Sequence, residues 1–456
     1  MTDTSADLVI LGGGSGGYAC AFRAAGLGLS VILVEKDKLG GTCLHRGCIP
    51  TKALLHAAEV ADLAREGDQF GIKSSLEGVD IAGVNSYKDG VVAGLYKGLQ
   101  GLAKANKVTV VEGAGTFRAP NAVEVDGRTY TGKNVVLATG SYAKTLPGLE
   151  IGGRIITSDQ AVQLDYVPRS VVVLGGGVIG VEFASVWASF GADVTIVEAL
   201  PRLVPLEDEW ASKQLERAFR KRGIKYKTGV RFTGAAQNET AVTVSLESGE
   251  ELEAETLLVA VGRGPNSAGH GYEDAGVTME RGFVLTDDRL RTNLPGVYAV
   301  GDLVPGLQLA HRGFQHGIFV AEEIAGLDPR PVEEAGIPRV TYCKPEVASV
   351  GLTEAQAKEK FGGADTYTYA LSGNGKSQIL KTSGGVKLVK APDGPVVGIT
   401  MVGERVGELV GEAQLIYNWE AYPEDVAPLI HAHPTQTEAL GEAFLALAGK
   451  PLHVHG

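Results

Sequence analysis

The sequence predicts an α/β protein, and three observations support that prediction. The 456 residues include 63 glycines and are 44% apolar, which suits many tight turns between buried strands and helices. Two stretches, near residues 12 and 175, share one order of apolar strand, glycine-rich turn, helix and second strand. From residue 335 the pattern changes to a hairpin followed by helices. At this length, three or four domains are expected.

Composition excludes several classes of partner. The chain has 42 basic and 54 acidic residues, a formal net charge of −12 and no basic block, so neither nucleic acid nor an anionic membrane is expected to bind it. No apolar run is long enough to span a bilayer. Among only four cysteines, Cys20 and Cys343 have no obvious mates, which indicates a reducing compartment and predicts a cytoplasmic protein.

The first glycine-rich turn predicts a dinucleotide site. Residues 7–11 form a short apolar strand that leads into Gly12, Gly14 and Gly17, in the pattern G-x-G-x-x-G, and the next strand ends at Glu35. The glycines let the backbone approach a pyrophosphate at a helix N-terminus, and the carboxylate can bind ribose hydroxyls. A plain glycine-rich turn is the alternative, and the two flanking strands and the acid count against it.

A second copy of this layout begins at Gly175. Gly175, Gly177 and Gly180 follow the strand SVVVL, and the next strand, DVTIVE, ends at Glu198. Each copy closes with a buried apolar strand. From first to closing glycine the first copy is about 40 residues longer, and the excess corresponds to a stretch with two cysteines and the helices after it. The duplication predicts two Rossmann-like dinucleotide-binding domains.

The acid at the end of the second strand of the second copy indicates which nicotinamide nucleotide binds there. A carboxylate at Glu198 accepts hydrogen bonds from both ribose hydroxyls and repels a 2′-phosphate, which favours NAD over NADP. Arg202 is a counter-signal, because basic residues in the following loop are typical of NADP users. With Glu198 at the strand end, NAD is the predicted nucleotide.

Residues 40–52, GGTCLHRGCIPTK, carry Cys43 and Cys48. Five residues of regular helix rise about 7.5 Å, more than the Cα separation of roughly 4.4–6.8 Å in a disulfide, so a bridge requires an irregular turn, which Gly47 permits. The apolar spacing after Pro50 predicts a helix, and a helix start lowers the pKa of a nearby thiol. The alternative is two reduced cysteines in a core helix.

Two dinucleotide sites and one dithiol predict an electron relay. Nicotinamide and disulfide exchange electrons poorly without an intermediary, and a flavin is the cofactor suited to that exchange. The glycine-rich motif just upstream therefore favours a redox pair over two core cysteines.

The cysteine stretch, together with the duplicated glycine motif, closely resembles the class I pyridine nucleotide-disulfide oxidoreductases, above all those that act on dihydrolipoamide. The resemblance covers nearly the whole chain. It implies FAD in the first copy, NAD in the second and a redox-active disulfide between Cys43 and Cys48. It also implies a homodimer in which each site combines the cysteines of one chain with a histidine of the other.

The resemblance divides the chain into four domains. They are an FAD-binding domain with the dithiol at 1–148, an NAD-binding domain at 149–266, a central domain completing the FAD site at 267–334, and a C-terminal α+β dimerisation domain at 335–456. The expected fold is thus two Rossmann-like domains plus an α+β interface domain.

Cofactor-binding residues are also carried over from the resemblance, and no metal site is expected. Asp302, in VYAVGDL, is expected to hold the sugar-phosphate part of FAD, although alone Gly301–Asp302 is a common turn. The cofactor-binding set is Gly12, Gly14, Gly17, Glu35, Lys36, Thr42, Lys52, Gly115, Thr139, Gly140, Ser141, Gly175, Gly177, Ile179, Gly180, Glu182, Glu198, Val230, Gly262, Asp302, Leu309, Ala310 and His311.

The resemblance assigns catalytic roles to Cys43, Cys48, Lys52, Glu182, His433 and Glu438. Lys52 and Glu182 are expected side by side next to the flavin, where the lysine stabilises negative charge. Without the resemblance they read as two solvated charges on helix faces.

The segment HAHPTQTEALGEAF (431–444) resembles the family's acid–base stretch. His433 is expected to take a proton from the substrate thiol, and Glu438 to fix its tautomer. His431 is the other candidate, but the family's base directly precedes proline, with a cis peptide between the two residues. Without the resemblance, the segment is a polar loop before a helix, with Thr435 as the cap.

The function implied is oxidation of protein-bound dihydrolipoamide with NAD+ as acceptor. The implied partners are lipoyl domains of 2-oxo acid dehydrogenase or glycine cleavage complexes. One alternative is a reductase of another low-molecular-weight disulfide, such as mycothione or glutathione, but those enzymes generally take NADPH. A flavin-binding scaffold without catalysis is a third possibility, and the paired cysteines and the His/Glu pair count against it.

Two stretches depart from the family's pattern. His45 and Arg46 replace a small or polar pair between the cysteines, and RGFQHG follows Leu309–His311 where an acid-rich form is usual. Neither removes a catalytic group, but both can alter the redox potential or the substrate edge of the site.

Overall fold

The computed structural model describes residues 4–453. Its first part is a parallel sheet in which β1 lies between β2 and β6, and β2 pairs with β3. An antiparallel extension of β4 and β5 continues from β6. The elements are β1 Ser5–Leu11, α1 Ser15–Gly26, β2 Val31–Glu35, α2 Gly41–His45, α3 Cys48–Arg65, α4 Ile81–Ala105, β3 Thr109–Glu112, β4 Gly115–Ala119, β5 Ala122–Val125, β6 Arg128–Leu137 and β7 Ser141–Ala143.

The second part is a five-stranded sheet in the order β11-β10-β9-β15-β8. A three-stranded antiparallel sheet, β12-β13-β14, accompanies it. The elements are β8 Ile155–Thr157, α5 Ser158–Ala161, β9 Ser170–Leu174, α6 Val178–Phe190, β10 Asp193–Glu198, α7 Glu209–Lys221, β11 Lys225–Thr228, β12 Phe232–Gln237, β13 Val242–Leu246, β14 Glu251–Ala254, β15 Thr256–Val259 and β16 Arg263–Pro265.

The two parallel sheets confirm the duplication. In each, the first strand of the copy is flanked by the second strand and the closing strand, and the strand before the glycine turn is buried on both faces, as in doubly covered parallel sheets. The connection from β2 to β3 holds residues 36–108, whereas the matching connection from β10 to β11 holds 199–224. The connection of the first copy thus holds α2, α3 and α4 where that of the second holds only α7, and α2 and α3 carry the two cysteines.

Residues 267–334 complete the first sheet. They contain β17 Met279–Glu280, β18 Phe283–Val284, β19 Val297–Ala299 and α8 Ala310–Ile324, and β19 pairs in parallel with β6. Helix α8 packs closely on α1, because a Cβ at Gly317 would lie 2.3 Å from the carbonyl oxygen of Gly16. The sequence sets this segment apart as a central domain, but its strand joins the sheet of the FAD-binding half.

Residues 339–447 form an α+β unit around an antiparallel sheet in the order β20-β21-β24-β23-β22. The predicted hairpin is β23 and β24, and α11 and α13 cover the sheet with fully buried Ala413 and Phe444. The elements are β20 Arg339–Thr341, β21 Glu346–Gly351, α9 Glu354–Phe361, β22 Asp365–Ala370, α10 Gly375–Leu380, β23 Gly385–Lys390, β24 Val396–Gly403, α11 Val406–Asn418, α12 Pro423–Val426 and α13 Glu438–Leu447. Across residues 4–453, no helix is long and apolar enough to cross a membrane.

Candidate active site

A cavity of about 1390 Å³ extends from the first glycine turn to the second. Both cysteines of the predicted redox pair line it. The predicted cofactor residues that line it are Gly12, Gly14, Glu35, Lys36, Thr42, Lys52, Gly115, Thr139, Gly140, Ser141, Gly175, Gly177, Ile179, Glu182, Glu198, Val230, Gly262, Asp302, Leu309, Ala310 and His311. The fold therefore brings these residues, which are far apart in the sequence, to one space.

Gly17 and Gly180 are predicted cofactor residues that lie outside this lining. A Cβ at Gly17 would lie 1.8 Å from the carbonyl oxygen of Gly12, and one at Gly180 would lie 1.9 Å from that of Gly175. Both positions are glycine because helix and strand touch there. Their structural role is close packing, and they take no direct part in the cavity wall.

Gly14 and Gly177 have the opposite environment. Each stands at the N-cap of its helix, α1 or α6, and a Cβ at either would meet no protein atom within 4 Å. Space therefore remains beside two helix N-termini, where free N–H groups favour a phosphate anion. These two places fit the pyrophosphates of two dinucleotides.

The strand-end carboxylates are held in the same way in both copies. Glu35 accepts hydrogen bonds from the N–H groups of Gly13 at 2.7 Å and Asp37 at 2.9 Å. Glu198 accepts from Gly176 at 2.6 Å and from Leu200 at 2.7 Å. Each carboxylate is thus fixed at the cavity wall, as ribose recognition requires.

Arg202, the counter-signal to NAD, is engaged elsewhere. Its guanidinium donates to the carbonyl oxygens of Pro205 at 2.9 Å and Glu207 at 3.1 Å. It does not line the cavity. Arg202 therefore adds no positive charge to the part of the cavity wall where Glu198 ends β10.

The two cysteines lie on either side of a helix break. Cys43 is in α2 and Cys48 is the first residue of α3, and Gly47 between them has φ −131° and ψ −107°. Helix α3 therefore begins two residues before Pro50, where the sequence places its start. The break lets the two side chains meet, and both are present as thiols.

The two thiols have opposite shifts of pKa. The hydrogen bond from Cys43 lowers the pKa of Cys48 to about 7, and the nearby charge of Lys52 lowers it further. The same hydrogen bond, together with burial, raises the pKa of Cys43. In the reduced pair, Cys48 is therefore the thiol that ionises more readily, and Cys43 keeps its proton to higher pH. Cys20 and Cys343 are fully buried, and burial raises the pKa of each.

Lys52 and Glu182 form an ion pair at the cavity wall. Lys52 Nζ lies 2.8 and 3.0 Å from the two carboxylate oxygens, and the backbone N–H of Tyr342 donates to the same carboxylate at 2.9 Å. Glu182 is 3% exposed, whereas Lys52 is 33% exposed and faces the cavity. Burial acts to lower the pKa of Lys52, but Glu182 outweighs it and the pKa is raised. Lys52 is a fixed cation one helical turn from Cys48.

The residues between the cysteines are held by neighbours. His45 Nε2 lies 2.8 Å from the carbonyl oxygen of Leu39, and its ring meets that of Tyr96 edge-on at 5.0 Å. Arg46 lines the cavity and donates to Asp37 at 2.9 Å. His45 therefore braces α2 against α4, and Arg46 adds a cation to the wall.

His433 and Glu438 form a pair outside the cavity lining. His433 Nδ1 lies 2.8 Å from Glu438 Oε1, and 78% of the His433 side chain is exposed. Glu438 also accepts from the N–H of Thr435 at 2.8 Å, and the predicted cis peptide before Pro434 is confirmed. Within one chain, the pair is separate from the cysteines.

His431 has a carboxylate partner of its own but is covered. Its Nε2 lies 2.8 Å from Glu412 Oε1, which raises its pKa, and only 12% of its side chain is exposed. Of the two candidate bases, His433 is the one open to a substrate. Thr435 does not cap α13, since the helix begins at Glu438 and Thr437 occupies the N-cap position.

Exposed apolar side chains occur in the chain just before this pair. Trp419 is 74% exposed, Leu429 58% and Ile430 98%. Large apolar side chains in such numbers indicate a surface that another protein covers.

Comparison with known proteins identifies the family. Residues 6–317 match the family described as pyridine nucleotide-disulphide oxidoreductase, and residues 337–444 match its dimerisation domain. The chain is a pyridine nucleotide-disulphide oxidoreductase. A dihydrolipoyl dehydrogenase of Bacillus subtilis (strain 168) is 40% identical to this oxidoreductase, over 99% of both chains.

Solved structures agree with this oxidoreductase fold. LpdA from Mycobacterium tuberculosis superposes with a TM-score of 0.90 at 25% identity, over 96% of this chain and 99% of that one. The HOCl-induced flavoprotein disulfide reductase RclA from Escherichia coli gives 0.87 at 26% identity, over 96% and 99%. The oxidoreductase uses FAD and NAD as cofactors, and the two open glycine turns fit them. Its dimerisation domain supports a homodimer.

The sequence did not reveal three residues that line the site of this oxidoreductase. Arg263 donates to Ser141 Oγ at 2.8 Å, and that hydroxyl donates to Asp302 at 2.6 Å. His270 lines the cavity, and burial lowers its pKa. Tyr342 lies under Lys52, 4.9 Å from Nζ to the ring centre. Of these three residues, only Arg263 could have been found from the sequence, because it directly follows Gly262 at the end of the closing strand.

Proposed function

We propose that the protein oxidises protein-bound dihydrolipoamide to lipoamide and reduces NAD+ to NADH. The observation that carries this proposal is the meeting of Cys43 and Cys48 across the helix break at the cavity wall, one helical turn before the Lys52–Glu182 ion pair. Full-length similarity to dihydrolipoyl dehydrogenases supports this substrate.

The cysteine pair performs the first half of the reaction. A substrate thiolate attacks Cys43 Sγ of the oxidised pair, the bond between the cysteines breaks, and Cys48 leaves as a thiolate. The second substrate thiol then displaces Cys43 Sγ, which closes the lipoyl disulfide and returns Cys43 as a thiol. FAD, when bound, supplies the two-electron acceptor between this dithiol and NAD+.

Lys52 holds positive charge at the place where negative charge collects. Its ammonium is fixed by both oxygens of Glu182, so it needs no rearrangement when Cys48 becomes a thiolate. At four residues' separation on one helix, Lys52 and Cys48 share a face.

His433 of the partner subunit is proposed as the base. Glu438 holds Nδ1, which leaves Nε2 as the nitrogen that takes the substrate proton. Since His433 is exposed and outside the cavity of its own chain, a dimer in which it faces the other chain's cysteines completes the site.

NAD is the proposed nucleotide of the second copy. Glu198 is fixed at the cavity wall, and Arg202 is turned to backbone carbonyls.

We assign FAD to residues 1–148 with 267–334, NAD to 149–266 and the dimer interface to 335–456. Lipoyl domains of 2-oxo acid dehydrogenase or glycine cleavage complexes are the proposed partners, and the cytoplasm, where thiols such as Cys20 stay reduced, is the proposed compartment.

Steady-state assays of the purified holoprotein test this function. We expect NAD+-linked oxidation of dihydrolipoamide, little activity with NADP+, and none for Cys48→Ser. NADPH-linked reduction of glutathione disulfide or mycothione, faster than dihydrolipoamide oxidation, would instead assign the protein to the low-molecular-weight disulfide reductases.

A further inference from the structure

The first two turns of α8 carry two buried polar residues that the family's acid-rich pattern does not predict. Arg312 and His316 are each 2% exposed. They stand one helical turn apart, so both side chains leave the same face of α8. That face meets the turn Gly301–Leu303, which presents Asp302 to the cavity.

Both backbone groups of Gly301 are bound by this pair. His316 Nδ1 accepts a hydrogen bond from the Gly301 N–H at 3.3 Å, and Arg312 donates to the Gly301 carbonyl oxygen at 3.1 Å. Gly301 has φ +69°, a left-handed conformation in which glycine is favoured. The residue before Asp302 is therefore held on both sides in a conformation that few residues adopt.

The pair has a defined charge state. Burial, and then the neighbouring Arg312, lowers the pKa of His316 to about 3, so the imidazole is neutral and Nδ1 can accept. Arg312 donates to Glu334 at 2.6 Å and to the carbonyl oxygen of Pro305 at 2.5 Å. Its guanidinium thus joins α8 to Gly301 and Pro305 in the segment before the helix and to Glu334 in the segment after it.

The adjacent face of α8 supports the first glycine turn. A Cβ at Gly313 would lie 2.7 Å from Ser15 Oγ, and one at Gly317 would lie 2.3 Å from the carbonyl oxygen of Gly16. One helix therefore touches both loops assigned to FAD. It touches the glycine turn through two glycines and the Asp302 turn through Arg312 and His316.

We propose that Arg312 and His316 are positioning residues, which retain FAD by holding the Gly301–Asp302 turn in its binding shape. Ser141 fixes one oxygen of Asp302 at 2.6 Å, and the α8 pair fixes the backbone that carries it. Without the pair, the buried N–H of Gly301 loses its partner and its carbonyl oxygen keeps only the N–H of Val304, so the turn relaxes to other conformations. The inference rests on FAD occupying the cavity, as in the proposed function.

FAD release from the holoprotein tests the proposal. Flavin fluorescence is followed after transfer to a sub-denaturing urea concentration. Arg312→Met, which lacks donors, is compared with Arg312→Lys. His316→Leu is compared with His316→Asn. Asparagine has nearly the same shape as leucine, but its Oδ1 keeps a hydrogen-bond acceptor near the position of His316 Nδ1. The matched control is Arg289→Met, because Arg289 pairs with Glu323 at the far end of α8.

We expect Arg312→Met and His316→Leu to release FAD at least about tenfold faster, equivalent to about 1.4 kcal/mol. His316→Asn should stay within about threefold of wild type, since Gly301 keeps its partner. The rate of FAD release from Arg312→Lys should lie between those of wild type and Arg312→Met. Arg289→Met should release FAD at the wild-type rate even if its melting temperature is lower.

Equal rates of FAD release from His316→Leu and His316→Asn would overturn the proposal. So would release from Arg289→Met as fast as from Arg312→Met, because α8 would then act only through its general stability. If Arg312→Met does not fold, the His316 pair decides the result. Wild-type protein that holds FAD but does not oxidise dihydrolipoamide would refute the proposed function alone, and the release rates would still decide this inference.

Discussion

Replacing Lys52 by methionine should raise the pKa of Cys48. The two residues are one turn apart on α3, and the wild-type pKa of Cys48 is about 7. A cation at such a distance lowers the pKa of an acid by roughly 1–3 units, and its loss leaves the buried carboxylate of Glu182 unopposed. A rise of about one unit, or about 1.4 kcal/mol, lowers the ratio of thiolate to thiol at Cys48 about tenfold at any fixed pH.

The assay is the long-wavelength absorption of the two-electron-reduced holoprotein as a function of pH. The signal requires the Cys48 thiolate beside oxidised flavin, so it is present above the midpoint and lost as the pH falls through it. Lys52→Met should move the midpoint upward, and adding Glu182→Gln should move it part of the way back. Lys344→Met is the control, because Lys344 pairs with Asp62 farther along α3. An unmoved midpoint, or an equal move in the control, would refute the electrostatic account.

Three further predictions follow from the same geometry. Cys48→Ser should abolish the long-wavelength band and Cys43→Ser should retain it; identical behaviour of the two variants in a spectral titration would contradict the assigned roles. Glu198→Ala should raise the KM for NAD+ more than it lowers kcat, because a ribose contact acts equally in ground and transition states, and unchanged NAD+ kinetics would exclude this site. Gly177→Ala should weaken NAD+ binding in a titration without lowering the melting temperature, whereas Gly180→Ala should destabilise the fold; the reverse pattern would contradict the assigned glycine roles.

The fold was predictable from the sequence where local signals and tertiary contacts agree. Strand, glycine turn, helix and acid recur in one order, and each step has a local cause, so the two parallel sheets follow. The break between Cys43 and Cys48 was predictable from disulfide geometry. The start of α3 at Cys48 was not, since Pro50 fits either the first or the third helical position.

Other parts of the site depend on contacts that no local pattern records. Tyr342 enters the site through its backbone N–H, which any residue other than proline could supply, and its segment arrives from the C-terminal sheet. Gly17 and Gly180 occupy motif positions typical of cofactor binding, but only the folded structure shows that a carbonyl oxygen excludes a side chain there. Arg312 and His316 were visible only as departures from a pattern, because their partner is the backbone of a distant glycine.

The central claim is that each active site joins the cysteines of one chain to His433 of the partner subunit. Coexpression of Cys48→Ser and His433→Gln chains tests it directly, with dihydrolipoamide oxidation by NAD+ as the readout. Homodimers of either variant should be nearly inactive. A mixed dimer has one doubly damaged site and one intact site, and random one-to-one assembly makes half of the dimers mixed, so about a quarter of wild-type activity should return. Activity no higher than that of the two parents would show that His433 serves its own chain and would contradict the shared site.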